Sequence, residues 1–401
     1  MSMSEFRMNL PRDVAFILAK MKESGFVAHV VGGSVRDSLI GRELGDFDIT
    51  TNALPEETKS VFDGYRIIET GIKHGTVTLV LEGVPYEITT YRVDGDYKDN
   101  RHPDNVTFTD RLEEDLMRRD FTVNAMAYSP DIGLSDPFGG RGDAENKLIR
   151  AVGDPYKRFD EDALRILRAL RFASVLGFQI EEMTAKAIRE RGHLLSAISK
   201  ERIYTELKKL VMGKDAPRIL TSYSEVIAPL LSGLSITALP DSELFDRAEM
   251  HTRFAALFYL NSENPKEHSE LAFTELKTDK LTRSGVYDAL CAFDTIDFTT
   301  ERAVLRALAD HGETVVRDVL ALGVLLGRYS DMETKMLDLV LESLKPYTVS
   351  ALALRGGDIA ALGYRGEAIG ETLKKLLYAV IDGEVENEKS ELIAYLVETK
   401  K

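Results

Sequence analysis

Strand-forming sequence stops early in this chain: it occupies roughly residues 1–150 and fades from about Asp154 onward. "VAHVVGG" reads as a short strand running into glycines, and "FDITTN" as another. "TVTLVLEG" and "VPYEITTYRV" read as a hairpin turning at Glu82-Gly83. "PRDVAFILAKMKESG" is an amphipathic helix, with Pro11 suited to its first turn and Gly25 to its end. "LEEDLMRRDFTVNAMAY" reads as helical, and most of polar Asp94–Arg111 as a mobile loop. Past Asp154, "FDEDALRILRALRFASVLGF", "EEMTAKAIRERGHLLSAI" and "SKERIYTELKKLVMG" are successive helices. The remainder is mostly helical, broken at "SGLSITALPDSE" and "KPYTVSALALRGGD". A chain of 401 residues exceeds one hydrophobic core. The expected fold class is α+β: an N-terminal head with a small mixed sheet, then all-helical parts. The boundaries predicted are 1–150, 151–215, 216–345 and 346–401.

Composition removes several function classes. Cys291 is the sole cysteine, so an intrachain disulfide and a cysteine-rich zinc site are both excluded. No apolar run approaches the roughly 18 residues that cross a bilayer, and the N-terminus lacks a basic-then-apolar leader layout. No membrane and a cytoplasmic location are expected. The net charge of −15 argues against phosphate binding by the surface as a whole. The stretch Arg150–Lys214 departs from that, with 14 Lys and Arg against 9 Asp and Glu, so a local basic groove is compatible with an acidic protein.

The stretch "GGSVRDSLIGRELGDFDITT" places Asp46 and Asp48 two residues apart on a predicted strand. Side chains at that spacing share a face. Two adjacent carboxylates repel unless a cation lies between them, and Mg²⁺ prefers oxygen ligands together with substrate phosphates. Gly32 and Gly33 leave a strand and open a helix, where exposed backbone N–H groups suit phosphate. Arg36 stands three residues on and pairs with phosphate oxygens. Glu87, on the later strand, is a candidate third carboxylate. Asp-x-Asp alone is commonly a solvated strand face; it is the combination that points to chemistry.

That combination resembles the signature of the polymerase-β nucleotidyltransferase superfamily, in which Gly-Gly-Ser precedes Asp-Phe-Asp by about a dozen residues. "RRDFTVNAMAY", "DPFGGRGDAENKLIRAVGDP", "RFDEDALRILRALRFASVLGF" and "SKERIYTELKKL" then resemble, in order, the motifs of class II tRNA nucleotidyltransferases, the CCA-adding enzymes, and of the related bacterial poly(A) polymerases. "GEVENEK" is similar to the Bacillus-type enzymes. The resemblance implies a nucleotidyltransferase head followed by helical neck, body and tail, with the body and tail holding tRNA. It implies template-independent addition of C, C and A to the tRNA 3′ end from CTP and ATP, with two Mg²⁺ held by Asp46 and Asp48. Gly32, Gly33, Ser34, Arg36 and Arg119 are implied near the nucleotide, and Asp120 at the ribose 2′-OH.

One helix adds a reading of its own. With Asp162 at 0°, Arg165, Arg168 and Arg171 fall near about 300°, 240° and 180°, opposite an apolar side formed by Ala163, Ile166, Leu167 and Leu170. The bland account is a solvated face with i,i+3 ion pairs. The sharper one is that a carboxylate and a guanidinium together address the edge of cytosine or adenine while guanine and uracil mismatch. The resemblance implies that Asp162 and Arg165 select the base, with Arg168 and Arg171 near the phosphates and Glu161 supporting Arg165 or the helix start.

Rival readings remain: CC-only or A-only addition, poly(A) synthesis, a catalytically inactive RNA-binding relative, or a metal-dependent phosphohydrolase. The undeleted Asp94–Arg111 segment favours full CCA addition, the absence of a long basic tail after "ELIAYLVETKK" disfavours the poly(A) polymerase, and Asp310-His311 stands in the wrong order for a hydrolase dyad. His74 and His102 are loop or phosphate contacts, or simply solvated loop histidines. The oligomeric state stays open.

Overall fold

A computed structural model describes residues 6–95, 106–343 and 345–399. The chain divides into two compact units, Met1–Leu230 and Leu231–Lys401. The first holds the sheet. Its strands are β1 (Ala28–Val31), β2 (Asp48–Thr51), β3 (Arg66–Ile68), β4 (Thr76–Leu81) and β5 (Val84–Thr90), then β6 (Arg92–Asp94) and β7 (Val106–Phe108), then β8 (Ala127–Ser129) and β9 (Gly133–Ser135). Seven of them form one sheet in the order β3-β4-β5-β2-β1-β8-β9, and β6 and β7 pair separately. β2 runs antiparallel to β1 and parallel to β5, so the strand carrying Asp48 is central.

Alternation divides the sheet into two faces. Val30, Ile49, Leu79 and Ile88 join one apolar cluster with Val14, Ile17, Leu18 and Met21 of α1 (Arg12–Glu23). The opposite face, with Val31 and the Asp48–Thr50 side chains, meets Leu116 of α4 (Leu112–Met117). Between these helices in sequence lie α2 (Gly33–Leu39) and α3 (Pro55–Val61). The β4–β5 hairpin turns at Glu82 (φ 49°) and Gly83 (φ 87°). Two consecutive positive φ values match the turn type whose twist fits paired strands.

Two helical expectations are corrected, and one loop expectation is bounded at its ends. First, the helix expected over "LEEDLMRRDFTVNAMAY" ends at Met117; a 3₁₀ turn follows at Thr122–Asn124, then β8. The backbone there is drawn elsewhere: Thr122 N donates to Arg150 O at 2.9 Å, and Ala127 and Tyr128 pair with β1. Second, the loop expected over Asp94–Arg111 begins and ends in the β6–β7 ladder, with Asp94 opposite Val106; residues 96–105, and with them His102, lie outside the described residues. Third, the helix through Asp162 is two helices. After α5 (Gly140–Glu145), α6 (Pro155–Glu161) stops, Asp162 is extended (φ −139°, ψ 103°), and α7 (Leu164–Leu176) begins. The Asp162 carboxylate accepts from Leu164 N at 3.0 Å, so it caps the second helix and helix-wheel placement does not apply to it. α8 (Glu182–Arg191) and α9 (Lys200–Val211) complete the helices used below, and α7 packs along α9.

The second unit is helical. Helices Met250–Asn261 and Pro265–Glu275 bring Phe254 and Phe258 edge-on to Phe273, with centroids 5.3 and 5.5 Å apart. Helix Glu301–Leu325 is kinked at Gly312 (φ 79°). A further apolar cluster gathers Leu352, Leu354, Leu376 and Leu392.

Candidate active site

The cleft of interest lies within the first unit, between the Asp48–Thr50 face of the sheet and α7. It encloses about 370 Å³ and is lined by six arginines and three aspartates, together with Gly32, Gly33, Asn124 and Phe172. That volume suits a single small-molecule ligand, since such pockets run from roughly 300 to 1,000 Å³. On a protein of charge −15, this wall carries six guanidiniums against three carboxylates, with the further acids Asp37, Asp115, Glu161 and Glu206 set behind it as partners of the arginines.

The turn comes first. β1 ends at Val31, and Gly32 turns the chain with φ 75° and ψ −131° before α2 begins. A Cβ on Gly32 would stand 3.2 Å from Arg119 Nη1 and 4.0 Å from Asp48 Oδ2. Glycine is therefore required twice, by its dihedrals and by the close approach. Ser34 turns inward, its hydroxyl 3.4 Å from Val31 O, and does not line the cleft. Arg36 is almost fully buried. It forks onto Asp37 with two bonds of 2.9 Å and donates to Asn124 Oδ1 at 2.6 Å.

Asp48 opens β2, and Asp46 stands just ahead of that strand rather than on it; both are exposed. Neither carries a hydrogen bond or ion pair among the described residues. Desolvation by the surrounding protein raises the Asp48 pKa; Arg119 pulls it down and Asp46 pushes it up. The β2–β5 register puts Glu87 beside Asp48, one step before the Ile49–Ile88 pair. Among the described residues no three His, Cys, Asp or Glu side chains converge on a metal position, so Glu87 does not complete a preformed cluster.

The arginines behind this mouth are all held. Arg118 Nε bonds Asp115 at 2.9 Å, and Arg119 Nη2 reaches the same carboxylate at 3.5 Å. Burial lowers the Arg119 pKa, and its buried Nε has no hydrogen-bond partner among the described residues. Asp120 accepts from Phe121 N and Asn124 Nδ2 on one oxygen and from Arg168 on the other. Burial raises its pKa, but Arg168, the Asn124 bond and Arg165 outweigh that and hold it at about 2. Asp120 in turn raises the Arg168 pKa. Arg171 Nε lies 2.8 Å from Glu206 on α9, and Arg168 lies 3.8 Å from the same buried glutamate. Phe172 stacks edge-on to Phe121 and lies 5.2, 5.4 and 4.0 Å from the guanidiniums of Arg36, Arg168 and Arg171.

At the far side, Asp162 Oδ2 accepts from Arg202 of α9 at 3.0 Å. Arg165 donates to Glu161 at 2.6 Å, to Arg158 O at 3.2 Å and to Arg118 O at 3.1 Å. Asp162 and Arg165 therefore face one cleft without being each other's partner.

Two known families match parts of the chain: the Poly A polymerase head domain over residues 28–150, and the "probable RNA and SrmB-binding site of polymerase A" over residues 177–225. The CCA-adding enzyme of Limosilactobacillus fermentum is 36% identical over 387 residues, covering 94% of each chain. That of Bacillus licheniformis is 36% identical over 395 residues, covering 95% of this chain and 96% of its own. The chain belongs to the CCA-adding enzyme family. The solved Bacillus stearothermophilus CCA-adding enzyme, in complex with CTP, superposes with a TM-score of 0.83 at 33% identity, covering 98% of both chains.

CCA-adding enzymes are nucleotidyltransferases, which generally use divalent metal ions. The donor set here fits such an ion: Asp48, which lines the arginine-walled cleft, and Asp46 two residues before it are hard-oxygen carboxylates without hydrogen bonds or ion pairs among the described residues. The cleft also contains residues that sequence reasoning missed. Arg118 and Asn124 lay inside the quoted "RRDFTVN" and Phe172 inside "RALRF", without a role. Glu206 and Arg202 carried a usable signal. Ile203, Leu207 and Leu210 make the buried face of α9, and a glutamate buried at position 206 on that face needs a cationic partner.

Proposed function

We propose that this protein adds C, C and A to the 3′ end of tRNA, taking CTP and ATP without a nucleic-acid template and releasing pyrophosphate. The observation that carries the reading is the single cleft into which Gly32 and Asp48 on one side and Asp162 and Arg165 on the other all project. Asp46 and Asp48 are proposed to hold two Mg²⁺ ions, with Glu87 beside them. Such ions lower the pKa of the attacking 3′-hydroxyl and neutralise charge on the triphosphate. The chain's own contribution is alignment and a preorganised field. Gly32, Gly33 and Ser34 shape the turn against which the phosphates rest. Arg36, Arg119, Arg168 and Arg171 face the phosphates with guanidiniums already oriented by Asn124, Asp115, Asp120 and Glu206.

Asp162 is assigned the exocyclic amino group of cytosine or adenine. Both of its oxygens are anchored, and a carboxylate has about four lone-pair positions, so acceptor capacity remains. Arg165, fixed by Glu161, is assigned the acceptor side of the base. Asp120 is assigned to the ribose 2′-OH, which takes a place now used by Asn124 or Arg168. The division of labour follows the boundaries proposed from sequence: catalysis in 1–150, base selection in 151–215, and tRNA holding by 216–345 and 346–401. Among the described residues no helix is long and apolar enough to cross a membrane, in keeping with action on tRNA in the cytoplasm.

The test incubates the protein with tRNA lacking its 3′ end, tRNA ending in C and tRNA ending in CC, with each NTP separately. The expected result is C, then C, then A, and a halt. Extension of only the CC-ended tRNA reduces the activity to A addition. Arrest after the second C indicates CC addition, long A tails indicate a poly(A) polymerase, and no extension overturns the reading.

A further inference from the structure

Asp115 on α4 is completely buried and does not line the cleft, yet three segments that build the cleft end on it. Its Oδ1 accepts from Arg118 Nε at 2.9 Å and from the backbone N–H of Arg92, where β6 begins, at 3.4 Å. Its Oδ2 accepts from Arg119 Nη2 at 3.5 Å and lies 3.2 Å from Thr50 Oγ1, whose single proton it shares with Thr89 O at 3.1 Å. Thr50 is two residues along β2 from Asp48, on the same face. Arg119 approaches both the Gly32 turn and Asp48. The carbonyl of Arg118, in turn, receives Arg165 Nη2 at 3.1 Å. One carboxylate thus ties the catalytic strand, the root of the 92–108 segment and two arginines of the cleft to a single point.

We propose that Asp115 is a positioning residue for the nucleotide: it sets the height of Arg119 against the glycine turn and, through Arg118, the placement of Arg165. The proposal rests on the functional reading above. The physical reason is directional. Arg118 and Arg119 are consecutive, like-charged and on one short helix end, so only an anion between their side chains keeps both heads on the same side. A neutral group there presents an N–H to one guanidinium and releases it.

The experiment compares Asp115→Asn, nearly the same shape without the charge, with Leu116→Ala, a core truncation on the same helix, both at temperatures well below their melting points. CTP and UTP incorporation onto tRNA ending in C is measured, with CTP binding by calorimetry in parallel. For Asp115→Asn the KM for CTP is expected to rise at least tenfold, with a smaller fall in kcat and a lowered preference for CTP over UTP. Leu116→Ala is expected to lose thermal stability while keeping KM near wild type. Equal KM changes in the two variants, or none in Asp115→Asn, overturn the proposal. If Asp115→Asn fails to fold, Asp115→Glu, which keeps the charge but displaces it by one methylene, is expected to raise KM as well, and an unchanged KM then overturns it. Failure of the wild-type protein to extend any tRNA counts against the functional reading instead, and the calorimetric comparison of CTP affinity still decides the role of Asp115.

Discussion

The two sides of the cleft are built on opposite principles. The arginine side is paired within the protein, although Arg119 Nε keeps no hydrogen bond among the described residues: Arg36 on Asp37 and Asn124, Arg118 and Arg119 on Asp115, Arg165 on Glu161, Arg168 on Asp120, and Arg171 on Glu206. The carboxylate side is not. Asp46 and Asp48 stand exposed and without hydrogen bonds among the described residues, and the protein around Asp48 pushes its pKa up. A satisfied guanidinium is oriented before a ligand arrives and costs no reorganisation then. An unsatisfied acidic pair is a liability that only an incoming cation relieves. The fold stabilises the first group, whereas the second costs stability and waits for a ligand.

That contrast is broken most directly at Asp48. Asp48→Ala is expected to lower nucleotide addition by about 10³-fold or more, since a metal ligand contributes several kcal/mol to the transition state. Unfolding stability should change by no more than about 0.5 kcal/mol, because Asp48 is exposed and makes no hydrogen bond among the described residues, leaving only its attraction to Arg119 to lose. A urea titration beside a tRNA extension assay checks both halves. Chelation is the chemical counterpart: EDTA should abolish activity, added Mg²⁺ should restore it, and the melting temperature without nucleotide should hardly move.

On the arginine side the pattern reverses. Glu206→Ala strips the buried partner of Arg171 and Arg168, and breaking such a pair costs about 3–5 kcal/mol. Denaturant unfolding should show that loss, together with weakened CTP binding. Asp162→Ala sharpens the picture at an intermediate size: chemistry should survive while choice of base relaxes, and a variant that still strictly refuses UTP and GTP sinks the base-edge assignment.

The smallest effect is expected in pH dependence. Asp120 in the folded protein titrates at about 2, below the roughly 3.9 of an unfolded aspartate. Its contribution is therefore fully present above pH ~4 and is lost as the pH falls through the folded value. The gap of nearly two units corresponds to between about 2 and 3 kcal/mol. Asp120→Asn should flatten that part of the stability–pH curve, measured by denaturant midpoints between pH 2 and 5.

Sequence reasoning reached most of the cleft because its residues come in short ordered runs. Gly32, Gly33, Arg36 and Asp48 belong to one strand–turn–helix–strand passage, and local geometry alone brings them together. It failed where a boundary depended on a partner far along the chain. The break at Asp162 is set by a cap on Leu164 and an arginine forty residues on, and no helical period records either. Ser34 matches the expected motif yet spends its hydroxyl on Val31 O, a choice visible only in three dimensions.

By itself the sequence determined the α+β character, the glycine turn ahead of the acidic pair and the succession of helices, because these rest on periodicity and on backbone permissions that act over a few residues. The tertiary structure alone decided which arginine meets which acid. It set Asp162 on Arg202 rather than Arg165, buried Glu206 beneath two guanidiniums and gathered Thr50, Arg92, Arg118 and Arg119 on Asp115. Charge pairing acts through space with no sequence period, and a buried charge must find its partner wherever the packing has left one.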